Sequence, residues 1–221
     1  MIELYYVSGS PYSWRVMLAA EVKGVPYQPH VLQLSKGEHR SPEYLRMNPR
    51  GREPLLKDGD FVVTESLAMM IYLDRLSEQN PLFGTDTRST VRVFEGLSQV
   101  LFDCEKATLL LAEPTLYRSP NADPSEAIRK AGEKLRGELK IMDERLGGQP
   151  WLVGEAISAA DIAALPLIMT IVRAAGKDVA KDLDLGLIPL DARFPHVAAW
   201  VKRMEALPGY ERAFPAHWRE T

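Results

Sequence analysis

Two hydrophobic patterns divide this chain. Up to about residue 80, apolar residues come in short runs separated by turn residues; beyond it they recur at helical spacing. Residues 2–7 read as a buried strand, broken by Gly9-Ser10-Pro11. Helical spacing then carries Trp14 through Leu18 and Val22 to Gly24, a residue suited to ending a helix. Residues 27–34 return to strand character, and Pro29 marks the start of that strand as an edge. Ser41-Pro42 opens a short helical turn. Leu55-Leu56-Lys57 and Phe61-Val62-Val63 read as a hairpin about Asp58-Gly59, and a helix runs from Ser66 to about Glu78. This order predicts a compact α/β unit with one mixed sheet.

Residues 77–89 are polar and turn-rich and read as a linker. The chain beyond them looks helical throughout. Asp123-Pro124-Ser125-Glu126 has the form of a capping box, with Asp123 as N-cap and Glu126 at N3, leading into Leu135, Leu139, Met142 and Leu146. Ser158-Ala-Ala-Asp161 is a second box, flanked by Ile157 and Ile162 at the positions of a hydrophobic staple. Val197, Trp200, Val201, Met204 and Leu207 give a last amphipathic helix. The expected domains are 1–79, a linker at 80–89, and an all-helical domain at 90–221.

Composition narrows the possible roles. The 221 residues are 46% hydrophobic and 26% charged, an ordinary globular balance. A net charge of -3 without a basic block makes nucleic acid an unfavoured partner. No apolar run approaches the roughly 20 residues that span a bilayer, so no membrane partner is expected. The start lacks a basic region followed by a long apolar one, as a secretory signal would have. Cys104 is the single cysteine, so neither an internal disulfide nor a C-x-x-C site can form. The histidines His30, His39, His196 and His217 show no metal-ligand spacing, and no metal is expected. A cytoplasmic location fits.

The candidate chemistry clusters at helix starts. Ser10 before Pro11 suits an N-cap, but a cap hydroxyl can accept a backbone N–H while its proton points at an anion. A hydrogen bond to a charged group contributes ~1.5–3 kcal/mol and a helix N-terminus ~0.3–1 kcal/mol. Together they can lower a bound thiol's pKa by ~1.5–3 units, enough to make a thiolate abundant at neutral pH. Glu65-Ser66 repeats the ambiguity: a plain helix start, or a carboxylate for an ammonium beside a hydroxyl and N–H for a carboxylate. Pro54 is a candidate cis proline, whose neighbouring backbone can pair with an extended peptide. His39 and Arg52 could each serve a further carboxylate or be solvated surface residues. Tyr5 and Tyr6 are rival hydroxyls, Tyr12 overlooks the first helix turn, and Cys104 reads as a small hydrophobe.

Taken in order, Ser10-Pro11-Tyr12-Ser13-Trp14-Arg15-Val16, Lys36-Gly37-Glu38-His39, Asn48-Pro49-Arg50-Gly51-Arg52-Glu53-Pro54, Asp58-Gly59-Asp60, Glu65-Ser66-Leu67-Ala68 and Ser158-Ala-Ala-Asp161 resemble the cytosolic glutathione transferases over essentially the whole chain. The pattern is nearest the serine-type enzymes around the zeta, theta and tau classes. The resemblance implies a thioredoxin-like glutathione-binding domain, an all-α C-terminal domain for a hydrophobic electrophile, and a homodimer acting in detoxification. By position it makes Ser10 the hydroxyl that stabilises the glutathione thiolate. It gives Glu65 and Ser66 the γ-glutamyl end, the Glu53 backbone and Pro54 the cysteinyl part, and His39 and Arg52 the glycyl carboxylate. Tyr12, Phe102 and Lys106 are expected at the electrophile. Zeta-class isomerases carry Ser-Ser-Cys where this chain has Ser10-Pro11-Tyr12, which speaks against that isomerisation. Glu53 stands where the family usually has valine; a backbone contact tolerates the change. The alternatives on one scaffold are a specialised dehalogenase, ether-cleaving enzyme or isomerase, and a glutathione-binding protein without catalysis.

Overall fold

The computed structural model describes residues 1–117 and 123–220. Contacts divide the chain into two units, Met1–Phe83 with Leu207–Thr221, and Gly84–Ala206.

The first unit is built on a four-stranded sheet of order β2-β1-β3-β4. Strand β1 (Ile2–Tyr6) leads into α1 (Pro11–Lys23) and returns as β2 (Tyr27–Val31), which pairs with β1 in parallel. Helix α1 ends at Gly24, whose left-handed φ of 63° lets its N–H reach the Ala20 and Glu21 carbonyls. Strand β2 is an edge, as Pro29 requires. It stops at Val31, earlier than its apolar pattern suggested, because Leu34 enters a 3₁₀ turn. Helix α2 (Pro42–Met47) is capped by Ser41, whose side chain accepts from Tyr44 N. Strands β3 (Leu55–Asp58) and β4 (Phe61–Val63) form the hairpin, with β3 antiparallel to β1. Helix α3 (Ser66–Arg75) closes the αβ unit and packs on α1.

A buried ion pair ties these helices together. Lys23 Nζ lies 2.9 Å from Asp74 Oδ1, with side chains only 1% and 3% exposed. The same oxygen accepts Leu82 N at 2.8 Å, and Lys23 also donates to the Asn80 carbonyl.

Residues 207–221, which the sequence pattern assigned to the helical domain, belong by their contacts to the first unit. The reason is aromatic. Tyr210, Phe214 and Trp218 surround buried Trp14 of α1 with ring centroids 5.5–6.2 Å away. Arg212 pairs with Glu21, and His217 Nδ1 lies 3.1 Å from Ser8 Oγ.

The second unit is helical. Helix α4 (Thr87–Gln99) begins inside the expected linker, where Asp86 and Ser89 form a capping box. It runs through a π-helical stretch, Val100–Glu105, into α5 (Lys106–Ala112). Helix α6 (Ser125–Leu146) starts one turn position later than the Asp123 reading. Asp123 Oδ1 accepts from Ser125 N and Oγ, which satisfies the donors near the start without Glu126. Helix α7 (Ala159–Ala175) is the buried centre, with the Ser158–Asp161 box formed as its spacing predicts. Short helices α8 (Asp178–Lys181) and α9 (Leu190–Arg193) precede α10 (Pro195–Glu205), which packs on α6. The tail of the first unit contains α11 (Tyr210–Ala213). Among the described residues no helix is long and apolar enough to cross a membrane.

Candidate active site

The turn between β1 and α1 is tightly specified. Ser10 N donates to the Val7 carbonyl at 3.2 Å. Gly9 holds φ at 86°, and a Cβ there would stand 2.9 Å from Trp218 Nε1, so both the backbone angle and the tail exclude a side chain. Ser10 is the N-cap of α1 with Pro11 after it, and its Oγ accepts Ser13 N at 3.3 Å. The capping role is therefore real. It uses the oxygen's lone pair and leaves the hydroxyl proton for another acceptor.

One turn further on, the Ser13 hydroxyl meets a carboxylate. Ser13 Oγ accepts Val7 N at 3.1 Å and donates to Glu53 Oε2 at 2.5 Å. Ser10 joins this arrangement through the Ser13 N–H that its Oγ accepts. Burial pushes the Glu53 carboxyl above the usual carboxylate range, and the Ser13 hydroxyl pulls it part of the way back. Sequence reasoning gave Glu53 a backbone role only. Its side chain proves to be part of a Ser10–Ser13–Glu53 cluster, and the signal available was the Ser-x-x-Ser spacing at N-cap and N3.

The loop that delivers Glu53 is clamped from behind. The Arg52 carbonyl accepts both Tyr44 Oη and Asn48 Nδ2 at 2.7 Å. Asn48 is buried, and its Oδ1 accepts Arg50 N at 3.1 Å. Gly51 adopts φ 57°, and a Cβ there would crowd the His39 carbonyl at 3.2 Å. The Glu53–Pro54 peptide is cis, as the turn proline suggested. Pro54 leads directly into β3, which pairs through Leu55 with Tyr5 of β1.

The remaining expected residues of the glutathione side lie in the same unit. Glu65 occupies the N-cap of α3 with its side chain exposed and making no capping bond; Ser66 is the first residue of the helix. His39 sits in the 3₁₀ turn Glu38–Arg40, and its Nδ1 is buried without a hydrogen-bond partner among the described residues. Arg52 is exposed. Tyr5 is engaged elsewhere: it stacks on His30 at 4.5 Å and donates to Glu3 Oε2 at 3.0 Å. Tyr6 is half-buried, and burial raises its pKa. Tyr12 lies half-buried in the first turn of α1, with the Arg15 guanidinium carbon 5.0 Å from its ring centroid.

Phe102 and Lys106 belong to the second unit. Phe102 is 78% exposed on the π-helical stretch, and Lys106 is exposed at the start of α5. Cys104 between them is buried, and burial pushes its thiol up to about 12, so it stays protonated and inert. Among the described residues no group of three or more His, Cys, Asp or Glu is placed to hold a metal.

Comparison with known proteins gives one answer. The glutathione S-transferase N-terminal domain family matches residues 9–76, and the C-terminal domain family matches residues 107–208. The chain is 31% identical to human glutathione S-transferase theta-2, over 98% of this chain and 85% of the relative. It is 30% identical to mouse glutathione S-transferase theta-3, over 98% and 87%. The crystal structure of poplar glutathione transferase F1 superposes with a TM-score of 0.83 at 26% identity, covering 99% of this chain and 98% of that one. The first unit's mixed sheet and helices are thus a thioredoxin-like domain, and the second unit is the helical domain of the same family. The chain belongs to the glutathione S-transferase family and is a glutathione transferase.

Proposed function

We propose that this enzyme binds glutathione on its first unit, activates the thiol at Ser10, and delivers the thiolate to a small hydrophobic electrophile. The observation that carries this reading is the placement of Ser10. It caps a 13-residue helix by accepting Ser13 N, and the Ser13 hydroxyl holds the side chain of Glu53, the residue that precedes cis Pro54. A cysteinyl group paired with the backbone beside Pro54 brings its sulfur toward the Ser10 hydroxyl. The γ-glutamyl end then falls to Glu65, for its ammonium, and to Ser66 with its N–H, for its carboxylate. The open N-terminus of α3 supplies the donors an anion needs. His39, whose buried Nδ1 lacks a partner among the described residues, and exposed Arg52 take the glycyl carboxylate.

Rate enhancement comes from a prepared thiolate and from proximity. Tyr12, Phe102 and Lys106 are assigned to the electrophile. π-Helical turns frequently mark functional positions, which supports a role for Phe102 and Lys106 beside one. A homodimer, a cytoplasmic location and a role in detoxification complete the reading by analogy with the family.

Ser10→Ala removes the donor without disturbing α1 beyond its cap. Steady-state kinetics with an activated aryl halide should show kcat/KM lower by about 10- to 100-fold. The KM for the halide should hold. An unchanged kcat/KM contradicts the assignment.

A further inference from the structure

Ser10 closes a tight turn. Its N–H donates to the Val7 carbonyl at 3.2 Å, and Gly9, third of the four residues, holds φ at 86°, the left-handed value a type II turn needs there. The last residue of this turn is also the N-cap of α1, so any drift of Ser8 and Gly9 moves the Ser10 hydroxyl. The turn's own bonds are long. The closure measures 3.2 Å and the cap 3.3 Å, against about 2.9–3.0 Å for a typical N–H···O bond.

Restraint comes from outside the turn, on two sides. From the helix, Ser13 Oγ accepts Val7 N at 3.1 Å. From the other side, the C-terminal segment covers the two middle residues. His217 Nδ1 lies 3.1 Å from Ser8 Oγ. A Cβ on Gly9 would stand 2.9 Å from Trp218 Nε1 and 3.0 Å from His217 Cε1, so both rings rest against the turn. The segment that carries them is itself fixed on α1. Phe214 and Trp218 meet Trp14 edge-on at 5.5 Å, and Arg212 pairs with Glu21. Arg219 pairs with Glu211 and lies over the Phe214 ring. The contacts form a closed ring, from Trp14 through the tail to Ser8, then through Ser10 back to α1.

We propose that this ring serves catalysis: His217, through Ser8, is a positioning residue that holds the Ser10 hydroxyl where it meets the thiol of glutathione. It acts through the turn and not on the reacting atoms. Placement at this scale matters, since a shift of about 1 Å in a reacting geometry can cost about 100-fold in rate. The Ser8–His217 contact spans exposed side chains, so replacing either leaves the fold intact and the effect falls on Ser10.

This role rests on the assignment of thiol activation to Ser10, and one experiment separates the two. The ultraviolet thiolate band of bound glutathione is titrated in the wild type, Ser10→Ala, Ser8→Ala, His217→Ala, the Ser8→Ala/His217→Ala double variant and His217→Asn. Ser8→Ala and His217→Ala should each raise the thiol pKa by about 0.5–1 unit, the worth of one ordinary hydrogen bond. Below that pKa, kcat/KM should fall by about 3- to 10-fold in step with the lost thiolate. The double variant should go no further than either single one, because the two side chains act through one contact. Asparagine sets an amide where Nδ1 stood and carries no charge, so His217→Asn should undo most of the shift. An unmoved thiol pKa in His217→Ala overturns the inference, and so do additive shifts in the double variant. An asparagine variant no better than alanine also overturns it, being the mark of a histidine that acts by its charge. If the wild-type thiol titrates like free glutathione, or stays lowered in Ser10→Ala, the Ser10 assignment fails and this inference with it. A response in Ser10→Ala without one in His217→Ala overturns the inference alone.

Discussion

Asp161→Ala destabilises the helical unit by roughly 3–5 kcal/mol. The Asp161 carboxylate is fully buried at the start of α7. One oxygen accepts Leu152 N and Trp200 Nε1, each at 2.9 Å; the other accepts Ser158 N and Oγ, also at 2.9 Å. Alanine strands three buried N–H donors, each costing ~1–3 kcal/mol, with the sum reduced by local relaxation. Against a total of about 5–15 kcal/mol for a typical protein, that loss is large. Asp161→Asn keeps one acceptor oxygen and should fall between the wild type and alanine. Urea unfolding followed by tryptophan fluorescence and circular dichroism measures both. A loss under ~1 kcal/mol for alanine would show that the aspartate does not organise this end of the unit.

Breaking the Lys23–Asp74 pair is the second large effect, at about 3–5 kcal/mol for Asp74→Ala. The penalty comes from what remains: a lysine ammonium only 1% exposed and an orphaned Leu82 N–H. Removing both charges should therefore cost less than removing one. Lys23→Met combined with Asp74→Leu is expected to recover most of the loss, short of the Leu82 hydrogen bond. If the double variant is as unstable as the sum of the singles, the pair contributes through packing and not through charge compensation.

Both features mark where sequence legibility stops. The Ser158–Asp161 box is local, set by a three-residue spacing, and it can be read directly. That the same carboxylate also holds Trp200 and Leu152 depends on chain positions 39 and 9 residues away, which no spacing rule reaches. Lys23 and Asp74 look like ordinary helix-surface charges in the sequence, because nothing local says that two helices will bury them against each other. The mixed sheet and its β3–β4 hairpin follow from the apolar runs and the Asp58-Gly59 turn, whereas the strand order β2-β1-β3-β4 is set by pairings no local pattern specifies. The tail's place in the first unit does not follow either: it depends on the aromatic neighbours of Trp14 and on the Arg212–Glu21 pair, contacts distant in sequence.

The candidate site divides in the same way. Ser10, Pro54, Glu65 and Ser66 are legible because each marks a local event, a helix start or a turn. Glu53 stands out as a departure from the family pattern, but its side chain's direction depends on how the clamped loop meets α1. Phe102 and Lys106 lie on a stretch whose π-helical turns alter the face each residue occupies, and ordinary helical spacing gives no warning of that.

The central claim is that a serine hydroxyl at a helix start converts the thiol of glutathione to a thiolate. The most direct test is the ultraviolet thiolate band of bound glutathione followed against pH in the wild type and in Ser10→Ala. The thiol should titrate ~1.5–3 units below that of free glutathione in the wild type and relax most of the way back in the variant. A bound thiol that titrates like the free one, or a lowered value that survives in Ser10→Ala, would contradict it.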